Sequence, residues 1–109
     1  MTLRSETEAF ENIRAKLQAI DTSNKDLAHI FKIRITQGGE VVKIMMLDLI
    51  KIKFYEGNDD AECTMTIPDD LLADVVLNKA ETTGLITSGK VTVEGDVELA
   101  KLLGATLSQ

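Results

Sequence analysis

Few residues in this chain are of a type that could carry out chemistry. It has one cysteine, Cys63, and one histidine, His29. A catalytic thiolate needs a neighbouring base and surroundings that lower its pKa. Cys63 instead alternates with Met65 and Ile67 on the apolar side of a strand-like run, which predicts a buried structural thiol. A Cys63–His29 couple would use the only copy of both residues. Gly38-Gly39 lies between two strand-like runs, whereas a phosphate-cradling loop joins a strand to a helix, so it reads as a hairpin turn. Asn58, Asp59, Asp60 and Glu62 are acidic but lack the D-x-D-x-D-G order of a calcium loop, and read as a solvated turn. No cofactor or metal is expected. What the chain does offer is an apolar interior.

Amphipathic elements must build that interior. Cys63, Met65 and Ile67 alternate with Thr64 and Thr66, the period of a half-buried strand. Pro68 suits a first helical turn, whose positive end Asp69 and Asp70 complement. Leu71, Leu72, Val75 and Val76 give that helix one apolar face, and a short helix follows. Residues 90–94 alternate again, with Val91 and Val93 on one side. Gly95 permits a turn, Asp96 is a good N-cap, and Val97, Leu99, Ala100, Leu103 and Leu107 form a last amphipathic helix.

Upstream, residues 2–20 have helical period, with Leu3, Phe10, Ile13, Leu17 and Ile20 on one face and Ser5 with Glu8 as a capping box. Residues 21–26 are a polar loop. Residues 27–36 predict a strand with Phe31, Ile33 and Ile35 inward and Lys32 and Arg34 outward. Gln37 to Glu40 closes a hairpin. The next strand, residues 41–49, is apolar on both faces, with Met45, Leu47 and Leu49 on one and Val42, Ile44 and Met46 on the other. A third strand is expected over 50–55. The combination is α+β.

At 109 residues, one domain over 1–109 is expected. The chain is 44% hydrophobic but only 4% aromatic, so the core must be aliphatic and methionine-containing, which suits an adaptable cavity. A net charge of −6 argues against nucleic acid as a main partner. No apolar run approaches the roughly 20 residues needed to span a bilayer. The N-terminal residues lack a signal-peptide core, the C-terminus does not match a peroxisomal address, and a single cysteine fits a reducing compartment. A cytoplasmic location is the default.

The ordered set C-T-M-T-I-x-D-D-L-L at 63–72 and S-G-K-V-T-V-E-G-D-V-E-L-A at 88–100 resembles the sterol carrier protein type two family. The similarity continues through Phe31 to Gly39 and Leu47 to Leu49. It covers nearly the whole chain and is nearest the small single-domain insect members. The resemblance implies an antiparallel five-stranded sheet with helices packed on one face, enclosing an apolar tunnel. It further implies a non-catalytic carrier of fatty acid, acyl-CoA or sterol that makes transient membrane contact. The tunnel would be lined by Ile13, Leu17, Ile20, Leu27, Ile33, Met45, Leu47, Leu49, Ile67, Leu72, Leu99, Leu102, Leu103 and Leu107. Lys16, Lys25 and the backbone of Asp26 would receive the lipid head group, at positions where relatives often carry arginine. Lysine is a flexible point charge and cannot bind a carboxylate in the same bidentate way. The plainer reading has Lys16 at a helix C-terminus and Lys25 solvated.

Two other functions remain open at this level. One is a ligand-free interaction module with a packed core. The other, ranked last, is a hydrolase or thioesterase. The stripe Val42, Ile44 and Met46 suggests a weak two-fold dimer, unless a loop or the C-terminal tail covers it.

Overall fold

A computed structural model describes residues 3–19 and 28–108. Strand β1 (Ile30–Gln37) forms where Phe31, Ile33 and Ile35 alternate with Lys32, Arg34 and Thr36; all three apolar residues are at most 1% exposed. Gly38 and Gly39 turn the chain with φ of 61° and 84°, a pair of positive values that glycine adopts freely. β2 (Glu40–Asp48) returns antiparallel, and β3 (Lys53–Glu56) pairs antiparallel with β2. β4 (Cys63–Pro68) lies on the other side of β1, and β5 (Thr92–Gly95) runs antiparallel to β4. The order is β3-β2-β1-β4-β5.

The sheet is therefore mixed, not antiparallel throughout, because β4 runs parallel to β1. After β3 the chain returns to the start of β1, where the Glu62 N–H donates to the Ile30 carbonyl (3.0 Å). β4 thus enters beside β1 in the same direction. The β2–β3 arm serves as the long crossover that a parallel pair requires.

The N-terminal helical stretch is two helices, α1 (Arg4–Glu8) and α2 (Phe10–Ala19), joined at Ala9. The expected Ser5–Glu8 capping box is absent. Ser5 lies inside α1 and donates to Asp69, while Glu8 accepts from Arg4. α1 packs on α3 (Asp69–Val76), whereas α2 turns toward β3. After α4 (Thr82–Thr87), the chain reaches Gly95 at φ 103°, where a Cβ would lie 2.6 Å from the Glu62 carbonyl oxygen, so only glycine lets β5 end this close to β4. Asp96 then caps α5 (Val97–Leu107), accepting the N–H of Glu98 (2.9 Å) and Leu99 (3.3 Å).

One face of the sheet carries the core. Residues from β1, β2 and β4 meet Phe10, Ile13 and Leu17 of α2, Leu72, Val75 and Val76 of α3, and Ala100, Leu103 and Leu107 of α5. On the opposite face Met46 is 0% exposed, packed beside its strand partner Tyr55 and near Gly57. A bulge between Ile35 and Thr36 pairs Thr36 with Val41 and leaves Val42 as the extra residue. The apolar stripe expected over Val42, Ile44 and Met46 is accordingly cut short. Val41, Val42 and part of Ile44 remain in contact with solvent. Among the described residues, no helix is long and apolar enough to cross a membrane.

Candidate functional site

The inner face of β1 and β2 presents Ile33, Met45 and Leu47, and Leu49 follows at the end of β2; Ile67 joins them from β4. α2 contributes Ile13 and Leu17, α3 contributes Leu72, and α5 contributes Leu103 and Leu107. These ten lie in one contiguous cluster, each at most 6% exposed. Leu99 and Leu102 pack against its edge. Ile20 and Leu27 fall outside the described residues, as do Lys25 and Asp26. The side chains proposed from sequence to line a tunnel thus converge in space where they are described.

Lys16 sits at the rim of this cluster. Its ammonium donates to the Val76 carbonyl (3.0 Å) and to the Leu107 carbonyl. These are the last residues of α3 and α5, so one cation bonds to the unpaired carbonyls of two helices from the final turns of a third. Burial lowers the Lys16 pKa from the usual lysine value. An ammonium has three donors, and two are engaged here. Sequence reasoning placed Lys16 near its own helix end but missed both carbonyl partners, because backbone acceptors 60 and 91 residues away leave no residue-type signal.

Thr82 and Gly104 form a second close contact missed from sequence. A Cβ on Gly104 would lie 2.0 Å from Thr82 Oγ1, so α4 and α5 approach as closely as the missing side chain allows. Thr82 is 6% exposed and its hydroxyl has no hydrogen-bond partner among the described residues. A glycine inside an otherwise apolar helix was the one available signal.

The candidate reactive residues each have other partners. Cys63 Sγ points to the Asp96 carbonyl (3.5 Å), and burial, reinforced by Asp96, raises its pKa. His29 Nδ1 contacts Glu62. Asp59 accepts a hydrogen bond from Tyr55 (3.1 Å), and no three potential metal ligands cluster among the described residues. The described clefts open at the surface. One of about 580 Å³ is lined by Asp48, Lys51, Lys53, Phe54 and Tyr55, and none of the tunnel candidates borders it.

A family model for the SCP-2 sterol transfer family matches residues 8–108. The chain belongs to that family. Its fold superposes on sterol carrier protein-2 from Aedes aegypti in complex with palmitate, with a TM-score of 0.84 and 37% identity over 99% of this chain and 97% of that one. Sterol carrier protein-2 like-3 from Aedes aegypti gives 0.84 at 22% identity, covering 95% and 96%. The apo form of sterol carrier protein 2 from Yarrowia lipolytica gives 0.73 at 24% identity, covering 97% and 93%. No curated protein sequence matches. As an SCP-2 family member, the chain carries the family's sheet and helices with Lys16 where α2, α3 and α5 meet.

Proposed function

We propose that this chain is a single-domain, non-catalytic carrier that binds a fatty acid, acyl-CoA or sterol among its core side chains and delivers it between membranes. The observation that carries this reading is the match along almost the whole chain to a palmitate-bound sterol carrier protein. The bound tail would lie between the inner face of the sheet and helices α2, α3 and α5. Burying about 15 CH₂ groups at ~0.8 kcal/mol each gives a gross transfer term near 12 kcal/mol. Immobilisation and side-chain ordering consume several kcal/mol, leaving roughly micromolar affinity. Lys16, with one donor left, would orient a carboxylate together with Lys25 and the Asp26 backbone. The tail sets affinity and the cations set direction.

The non-catalytic reading is supported at Cys63, where burial raises the thiol pKa, away from the thiolate that a nucleophile needs. A lone reduced cysteine also suits the cytoplasm.

A second reading, a ligand-free interaction module, is favoured by one observation. The tunnel candidates pack against one another as a continuous core. Mass spectrometry of lipid extracted from the purified protein separates the two. The carrier reading expects recurrent fatty acid or sterol and displacement of a fluorescent fatty acid. A clean extract with no fluorescent binding overturns it in favour of the packed module.

A further inference from the structure

The geometry points to the turn at residues 49–52 as the surface by which this chain docks on an anionic lipid bilayer. The inference deepens the carrier reading by assigning its membrane contact to particular residues. Ile50, at the tip, is 56% exposed, more than the other exposed large hydrophobic residues. It does not hang on a loose loop. The Asp48 carboxylate accepts the N–H of Ile50 (2.9 Å) and of Lys51 (3.0 Å), which pins the turn. Two residues on, Ile52 is held at φ 56°. That is a costly conformation for a β-branched side chain, and one that glycine or asparagine would adopt far more cheaply. Backbone held in such a state at an exposed apolar tip points to a use beyond folding.

The surrounding charge selects the partner. Lys51 and Lys53 flank the tip, and the Arg14 guanidinium lies 5.2 Å from the Phe54 ring centre on the adjoining strand. Among the described residues, none of these three cations is in an ion pair, in a chain whose net charge is −6. Asp48 is the one carboxylate lining the cleft beside them, and its Oδ1 is turned to the backbone. Tyr55, 37% exposed on the same edge strand, is held by its hydroxyl on Asp59 (3.1 Å) and lies against Met46, so it borders the cationic tip without belonging to it. An apolar tip ringed by unpaired cations matches anionic headgroups over acyl chains. A negatively charged protein approaching such a surface would also be turned to present this end first.

Cosedimentation with phosphatidylcholine vesicles containing phosphatidylserine tests the assignment. The wild type should bind, more weakly as salt rises. Ile50→Ser should weaken binding about tenfold, as expected for partial burial of one aliphatic side chain. Each lysine contributes about fivefold, so Lys51→Glu/Lys53→Glu should reduce binding to background. Val42→Ser, on the other exposed apolar patch, should bind as the wild type does. All these variants should still bind fluorescent fatty acid in vesicle-free buffer, which shows that they are folded. Wild type that fails to bind the vesicles overturns the proposal. So do turn variants that bind normally, or an equal loss in Val42→Ser. If Ile50→Ser instead abolishes self-association with vesicle binding intact, the tip joins two copies of the chain and the assignment falls. Failure of the wild type to bind fatty acid would sink the carrier reading and leave the vesicle result to be judged by itself.

Discussion

The Asp69 carboxylate, in the first turn of α3, holds the first turn of α1 through Ser5. It accepts the Ser5 N–H (2.9 Å) and the Ser5 hydroxyl (2.5 Å) on one oxygen, and the Arg4 N–H (2.8 Å) on the other. Asp69 is 5% exposed and Ser5 is fully buried. One side chain therefore satisfies the orphan donors of a different helix, a tertiary substitute for the local capping box. Asp69→Ala should cost about 3 kcal/mol, because it strands buried donors, and Ser5→Ala about 1 kcal/mol. Urea unfolding at unchanged m-value checks both. An Asp69→Ala midpoint equal to that of the wild type would show that α1 is held by other contacts.

The same approach separates structure from binding at Lys16. Lys16→Met removes the donor shared by the Val76 and Leu107 carbonyls and should destabilise the fold by about 1–2 kcal/mol. Combined with Lys25→Ala, it should weaken fatty-acid binding by no more than about tenfold, since two of the three Lys16 donors are already held by carbonyls and the tail supplies most of the affinity. Sterol, which presents only a hydroxyl, should lose less. Equal losses for both lipids in a titration would mean that the lysines serve the fold alone.

Gly104→Ala should be costly because its methyl meets Thr82 Oγ1, Cβ and Cγ2 at 2.0, 2.4 and 2.8 Å. Overpacking of this kind costs about 1–3 kcal/mol. Thr82→Gly empties the space and should recover part of the loss in the double variant, although it is destabilising alone. Additive losses in thermal unfolding would contradict a direct clash.

Cys63 gives a pH dependence whose sign follows from its raised pKa. The unfolded thiol ionises near its ordinary value of 9.0, while the folded thiol stays protonated to higher pH. The stabilisation is thus fully present below 9.0 and is lost as pH rises toward the folded value. Cys63→Ala should flatten that alkaline loss in unfolding curves taken from neutral pH to above 9.0. Parallel curves for the two proteins would remove Cys63 as the source.

Leu103 and Leu47 probe whether the core opens for a tail. Both are at most 1% exposed in the cluster. If a ligand displaces them, Leu103→Trp and Leu47→Trp should each lower fatty-acid affinity at least about tenfold. The folding penalty should stay under about 2 kcal/mol, less than a rigidly packed core would exact. Unaltered competition against a fluorescent fatty acid in both folded variants would remove these residues from the site.

The sequence by itself determined the strands and helices whose period is unambiguous. Phe31, Ile33 and Ile35 alternate over eight residues of β1, and Asp96 announces α5, because burial of one face and capping of one end are local requirements written in nearby residues. Motif order likewise made the family legible. Tertiary structure alone decided the direction of β4, since alternation reads the same on a parallel or an antiparallel neighbour. It also decided that Met46 is covered: a bulge and the Tyr55–Gly57 return depend on which strand lies alongside, not on the strand's own pattern. The split at Ala9 and the Lys16 contacts have the same origin. Asp69 draws α1 away from α2, and Lys16 meets carbonyls of α3 and α5, through partners at least 60 residues distant that only folding brings together.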